Sequence, residues 1–153
     1  MIFEFGPVRI DVDVERTRRW YETTALTAGQ SCSCDGCVNY EKAAELFPVN
    51  ITSFFNALGA DVKKPTEVYV NYTNKDGTLF YGGWYHLCGT VLTEADWLFT
   101  AQGSSFGARG FQVGLGSSGP MARNFPRPVI TLDLCADIPW VLEKENTYEV
   151  FED

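Results

Sequence analysis

The chain has 153 residues, of which 45% are hydrophobic and 14% aromatic, and its formal net charge at pH 7 is -8. This length is typical of one domain, and this composition indicates a folded chain rather than a disordered one. The negative charge repels phosphate backbones and anionic lipid headgroups, so it disfavours general nucleic-acid binders and proteins of anionic membrane surfaces.

No segment reaches the roughly 18–20 apolar residues that a membrane span needs. The first residues, MIFEFGPVRIDVDV, lack the basic and long apolar regions of a signal peptide, which favours a cytoplasmic setting. The five cysteines cannot all pair within one chain, and stable disulfides are rare in a reducing compartment. The cysteines are therefore expected to bind metal, to work as redox thiols or to be buried as free thiols.

The N-terminal third begins with a clear strand pattern. Residues 8–15 alternate between valine or isoleucine and charged side chains, which predicts a half-buried strand. Residues 16–28 are rich in threonine and aromatic residues, which predicts a second strand. The cysteine-rich stretch after Gly29 is expected to be a loop.

Two short helices are predicted next. Asn39 is expected to cap a helix that carries Tyr40, Ala43, Ala44 and Phe47 and that ends or kinks at Pro48. Asn50 is expected to cap a second helix, ending at Gly59, whose apolar stripe contains Ile51, Phe54, Phe55 and Leu58. Both stripes are interpreted as core.

The second half returns to strand patterns. A strand from Lys64, a turn at residues 74–77 and a returning strand at 78–92 predict a hairpin. A helical turn is expected at Glu94–Trp97, a loop at 101–110, a short strand at Phe111–Leu115, an irregular connection at 116–128, a strand at 129–135 and an edge element in the acidic tail from Glu143. The prediction is a single α+β domain, residues 1–153, in which a mostly antiparallel sheet carries a short helical hairpin on one face.

The motif that best indicates chemistry is C-x-C-x-x-C, formed by Cys32, Cys34 and Cys37. Three cysteines this close in sequence can converge on one zinc ion, but a closed tetrahedral site needs a fourth ligand. His86 and Cys88 project from the same face of a predicted strand and are the best candidates, with Cys135 as a third. The sequence therefore predicts a zinc-knuckle-like site made by Cys32, Cys34 and Cys37 with His86 or Cys88.

Two other interpretations of the cysteines stay open. Cys34 and Cys37 form a C-x-x-C pair, which is typical of thiol redox enzymes and sensors, although the βαβ context of a thioredoxin-like site is missing. The cysteines can also be plain thiols buried near a turn.

The remaining motifs are weaker. Residues 114–119 match G-x-G-x-x-G, but Pro120 follows at once and no crossover helix is predicted, so a dinucleotide site is not expected. His86, the only histidine, lacks a nearby nucleophile and orienting carboxylate in good register for general-base work. A ligand pocket near the 101–128 loop has no triad or carboxylate pair to support it.

The run C-x-C-x-x-C-x-N-Y, the helix after it, Gly59 and Tyr81-Gly82-Gly83-Trp84-Tyr85-His86 together resemble an uncharacterised family of small bacterial proteins. The resemblance covers roughly residues 30–92. It implies a bacterial cytoplasmic protein in which the cysteine stretch and the His86 strand form one unit, and it implies no activity.

These patterns together predict a non-enzymatic module that binds an unidentified protein partner and is stabilised by a structural zinc site. The alternative is a thiol redox enzyme or sensor that uses Cys34 and Cys37.

Overall fold

The computed structural model describes residues 1–93, 97–101, 106–116 and 119–151, and for residues 97–101 only the course of the backbone. Seven strands and four helices occur in this part of the chain. In chain order they are β1 (Ile2–Phe5), β2 (Val8–Val12), α1 (Val14–Thr23), α2 (Ala28–Ser31), α3 (Asp35–Ala44), α4 (Val49–Ala57), β3 (Glu67–Thr73), β4 (Leu79–Val91), β5 (Trp97–Ala101), β6 (Phe111–Gly116) and β7 (Val129–Ile138).

The strands form one sheet in the order β1-β2-β4-β7-β6-β5, with β3 also paired to β4. Every pairing between these strands is antiparallel. The long strand β4 is the centre of the sheet: its residues 79–88 pair with β7 along one edge. Its other edge pairs first with β3 and then with β2. The prediction of an α+β fold with a mostly antiparallel sheet is confirmed.

The prediction of a second strand over residues 16–28 is wrong, because these residues form α1, the connection after it and the start of α2. The carboxylate of Asp13 accepts a hydrogen bond from the Arg16 N–H at 3.1 Å and caps the helix. Thr17 and Tyr21 are buried four residues apart, on the helix face that contacts β4. This burial outweighs the strand preference of threonine and aromatic residues.

The two predicted helices are confirmed as α3 and α4, but their caps differ from those predicted. Cys34 is the N-cap residue of α3, and Pro48 is that of α4. Asn39 lies inside α3 and is fully buried, so its prediction as an N-cap is wrong. The predicted apolar stripe of α4 is buried, and Gly59 follows the helix with a φ of 89°.

The two faces of β4 have different coverings. The hydroxyl of Tyr81 is bonded to Gly36 and Asn39 of α3, and that of Tyr85 contacts Tyr40 of α3, so the odd-numbered side chains face this helix. The indole of Trp84 donates to the Pro120 carbonyl, and the His86 ring lies 5.5 Å from that of Phe125. The even-numbered side chains therefore face the 119–128 connection.

The C-terminal segment docks on the outer edge of β3, as predicted for the tail. Val150 forms a parallel bridge with Thr73, whose backbone bonds to Glu149 and Phe151. The other predicted strands are confirmed, although the one predicted over residues 8–15 ends at Val12, and β7 extends to Ile138. Residues 94–96 of the predicted helical turn and 102–105 of the predicted loop lie outside the described residues, whereas Trp97 and Ala101 belong to β5, which was not predicted. Among the described helices, none has the length and apolar character that crossing a membrane requires.

Candidate metal centre

The structure brings the three clustered cysteines together. The sulfur atoms of Cys32, Cys34 and Cys37 all lie within 4.8 Å of one another. Cys32 is the residue at which α2 ends, and Cys34 is the one at which α3 begins, both with extended backbone. Cys37 lies in the first turn of α3. The sulfurs converge because the chain turns sharply between two helices. The prediction of a loop after Gly29 is therefore wrong except at residues 32–34, which join α2 to α3.

The short helix α2 is held firmly at this turn. Thr27 and Gln30 form a reciprocal capping box at its start. The Gly29 N–H donates to the Glu41 carboxylate of α3 at 3.1 Å, which ties the two helices together. The positions of the cysteines are thus fixed by contacts outside the cysteines themselves.

The three thiols differ in exposure. Cys32 and Cys34 are exposed, whereas Cys37 is buried and its sulfur lies 3.7 Å from the Val68 carbonyl oxygen of β3. The centre is therefore anchored to the sheet through Cys37 and open to solvent on the side of the other two thiols.

The thiols also differ in acidity. Partial burial opposes ionisation of Cys34, but the neighbouring N–H groups of Cys37 and Gly36 and the thiols of Cys32 and Cys37 outweigh it and lower the Cys34 pKa. Burial, together with the neighbouring Cys34, raises the pKa of Cys37. Cys34 is consequently the thiol that ionises first within the C-x-x-C pair.

The C-terminal segment lies against the start of α3. The Gly36 N–H donates to the Tyr148 hydroxyl at 3.0 Å, and the Lys144 ammonium pairs with the Asp35 carboxylate at 3.1 Å. Tyr148 is 112 residues from Gly36, so no local pattern in the sequence could have assigned it to this centre.

The structure does not bring His86, Cys88 or Cys135 to the three sulfurs. The hydroxyl of Tyr81 bonds the Gly36 carbonyl, so the cysteine centre lies on the face of the odd-numbered β4 side chains. His86 and Cys88 are even-numbered, and Cys135 pairs with Gly82, which places all three on the opposite face. Among the described residues, no fourth histidine, cysteine or carboxylate joins the group of ligand atoms.

The surroundings of His86 are those of a core residue. Its Nδ1 lies 2.9 Å from the Thr66 hydroxyl, and its side chain is almost fully buried. Burial lowers the pKa of His86 to about 4, so the ring is neutral at physiological pH. Cys88 is also buried, 3.9 Å from the Arg127 carbonyl oxygen, and burial raises the pKa of its thiol.

The glycine motif does not have the frame of a dinucleotide site. Gly114 and Gly116 belong to β6, which is antiparallel to its neighbours β5 and β7. Pro120 follows Gly119, and residues 119–128 contain no helix. Ser117 and Ser118 lie outside the described residues.

Comparison of the chain with protein-family models, with curated protein sequences and with solved structures found no match.

Proposed function

We propose that this protein is a small, non-enzymatic interaction module whose Cys32, Cys34 and Cys37 hold a zinc ion. The observation that carries this proposal is the convergence of the three sulfurs within 4.8 Å of one another. The ion would fasten the α2–α3 turn and, through Cys37, the β3 strand below it. A reducing, cytoplasmic setting is part of the proposal, because zinc binding requires reduced thiols.

The spacing of the sulfurs suits zinc after a small adjustment. Sulfurs bound to one tetrahedral zinc at 2.3 Å lie about 3.8 Å apart. The sulfur–sulfur distances in the structure, at most 4.8 Å, therefore exceed those around a bound zinc ion by no more than about 1 Å. Cys32 and Cys34 are exposed and can make this adjustment by rotating their side chains.

The acidities are compatible with this role. Cys34 has a lowered pKa and readily supplies the first thiolate. Cys37 has a raised pKa, but a coordinated metal ion deprotonates a thiol outright. Three protein ligands leave a fourth position, which a water molecule or a group from a partner can occupy.

The metal content of the purified protein tests this proposal. We expect about one zinc per chain in protein prepared under reducing conditions without chelator. Cys34→Ser should lose most of the metal, and because Cys34 is exposed the fold should survive. Cys135→Ser is the matched control and should keep the metal. Zinc well below one per chain in the wild type, or equal retention by both variants, contradicts the proposal.

The interaction part of the proposal rests on charge. A net charge of -8 favours basic protein surfaces as partners and disfavours nucleic acid and anionic membranes. At about 0.1 M salt, where charges are screened beyond about 10 Å, the protein should pass through a DNA column and should not sediment with phosphatidylserine vesicles. Retention on either contradicts this part of the proposal.

A thiol redox function is the second candidate, and one observation favours it. Cys34 is exposed at the start of a helix with a lowered pKa, and Cys37 is buried one turn later with a raised pKa. An attacking thiol and a resolving thiol of a C-x-x-C pair differ in this way. Oxidised glutathione tests it: Cys34 and Cys37 would form a disulfide while each glutathione disulfide yields two glutathione thiols. If the number of free thiols on the protein, counted after glutathione is removed, does not fall, the redox function is excluded.

A further inference from the structure

The hydroxyl of Tyr148 lies directly over the C-x-x-C turn. It accepts the N–H of Gly36, which stands between Cys34 and Cys37, at 3.0 Å. A Cβ atom added at Gly36 would lie 2.8 Å from this hydroxyl and 2.9 Å from Val70. Position 36 therefore has to be glycine for Tyr148 and β3 to approach the cysteine centre this closely.

Tyr148 is held in place by β3 and not by the cysteines. Its carbonyl accepts from the Thr73 hydroxyl at 3.0 Å, and its N–H donates to the Asn146 side chain at 2.9 Å. Asn146 in turn donates to the Thr73 hydroxyl at 3.0 Å. Thr73 is buried, so these bonds fix the backbone of Tyr148 independently of the cysteine centre.

The hydroxyl still has one hydrogen to donate. A phenolic hydroxyl is one donor as well as an acceptor, and the bond from Gly36 uses only its acceptor side. Among the described residues, no oxygen, nitrogen or sulfur atom is placed to accept the Tyr148 hydroxyl hydrogen. Burial, together with the neighbouring charges of Cys34, Asp35 and Cys37, raises the pKa of Tyr148, so the thiols on either side of Gly36 are close to this hydroxyl.

We propose that Tyr148 is a positioning residue of the cysteine centre, donating its O–H to a metal-bound thiolate of the Cys34–Cys37 pair. This inference rests on the proposed metal-binding function. Such a hydrogen bond stabilises the negative sulfur and fixes its direction, as outer partners of metal ligands do. At neutral pH a tyrosine hydroxyl is protonated and can act as this donor.

Cobalt is a suitable probe, because Co²⁺ bound by thiolates absorbs in the visible and near-ultraviolet. Wild type, Tyr148→Phe and the control Tyr69→Phe are titrated with Co²⁺ under reducing conditions, after circular dichroism has confirmed their folds. Tyr69 is an exposed tyrosine of the same strand, β3, that holds Tyr148. We expect Tyr148→Phe to bind Co²⁺ about 10-fold more weakly than the wild type. This is the lower end of the affinity loss seen when a hydrogen-bonding partner of a metal ligand is removed. Its sulfur-to-cobalt absorption should also move to longer wavelength, because the thiolate loses a hydrogen bond, whereas Tyr69→Phe should match the wild type.

Two failures can be told apart. If the wild type shows no cobalt–thiolate absorption, the proposed metal centre is wrong and this inference falls with it. If the wild type binds Co²⁺ and Tyr148→Phe binds with the same affinity and spectrum, only the role of Tyr148 is wrong. Should Tyr148→Phe fail to fold, nuclear magnetic resonance of the wild type loaded with ¹¹³Cd decides between the outcomes. A proton–cadmium correlation at the Tyr148 hydroxyl is expected, and its absence overturns the proposal.

Discussion

The hydroxyl of Tyr21 donates to the His86 carbonyl at 2.8 Å and accepts the His86 N–H at 3.2 Å. These are backbone groups in the middle of β4, at a point where one edge of the strand has no neighbouring strand. β3 pairs with β4 only as far as Trp84, and the pairing of β4 with β2 begins at Gly89. Next along the same edge, the Thr17 hydroxyl accepts the Cys88 N–H at 3.0 Å. Helix α1 thus completes the hydrogen bonding of the sheet with side-chain hydroxyls.

Replacing Tyr21 with phenylalanine should therefore destabilise the fold strongly, although it removes only the hydroxyl group. Two buried backbone groups lose their partner, and we expect the free energy of unfolding to fall by about 2–4 kcal/mol. Urea denaturation measures this change. Tyr69→Phe, at an exposed position, should stay within about 0.5 kcal/mol of the wild type. Equal stability of the two variants would show that water or a backbone shift replaces the Tyr21 hydroxyl.

The stability of the protein should depend on pH through His86. The pKa of His86 is lowered to about 4 by burial, whereas an unfolded histidine titrates near 6.5. The unfolded state therefore binds the proton first as the pH falls. The stability that comes from the neutral ring is complete above pH 6.5 and is lost between pH 6.5 and 4, by about 3 kcal/mol in total.

Because His86 is the only histidine, its ring protons give an unambiguous nuclear magnetic resonance titration. Urea midpoints at pH 7.5, 6.0 and 5.0 check the same effect, with His86→Gln as the reference that should show a shallower pH dependence. A ring that titrates near 6.5 in the folded protein would contradict the prediction.

Asn39 should contribute more to stability than its place in a helix suggests. Its amide donates to the Tyr81 hydroxyl and to the Pro139 carbonyl, both at 3.1 Å, and its oxygen accepts the Val141 N–H at 2.7 Å. Asn39→Ala removes one of the two partners of the buried Tyr81 hydroxyl, which keeps its bond to Gly36, and leaves the part-buried Pro139 carbonyl and Val141 N–H without a partner. It should cost about 2–4 kcal/mol in thermal or urea unfolding. Asn56→Ala, on the exposed side of α4, is the matched control and should cost less than about 1 kcal/mol. Similar losses in both variants would contradict the proposed role of Asn39.

Five of the strands could be predicted because each carries a local pattern, whereas β5 was missed. β2, β3, β4, β6 and β7 alternate in hydrophobicity or follow a clear turn, and this period is visible in the sequence. α1 could not be predicted in the same way. Its helical face is defined by Thr17 and Tyr21, which are polar-ended residues with strand preference, and their partners lie more than sixty residues away on β4.

The candidate metal centre could likewise be predicted from the sequence only in part. Cys32, Cys34 and Cys37 are close in sequence, so their convergence follows from local geometry. The residues around them come from β3 and the C-terminal segment, which only the folded chain brings near. The expectation that His86 and Cys88 share a strand face holds, but the sequence does not say which face, and the register of β4 places them away from α3.

The most direct test of the proposed zinc centre is X-ray absorption at the zinc edge of the loaded wild-type protein. Three sulfur atoms at about 2.3 Å and one lighter atom at about 2.0–2.1 Å are expected, because the chain offers three converging thiolates and leaves the fourth position to another ligand. A shell made only of nitrogen and oxygen, or one with fewer than two sulfur atoms, would contradict a zinc ion held by Cys32, Cys34 and Cys37.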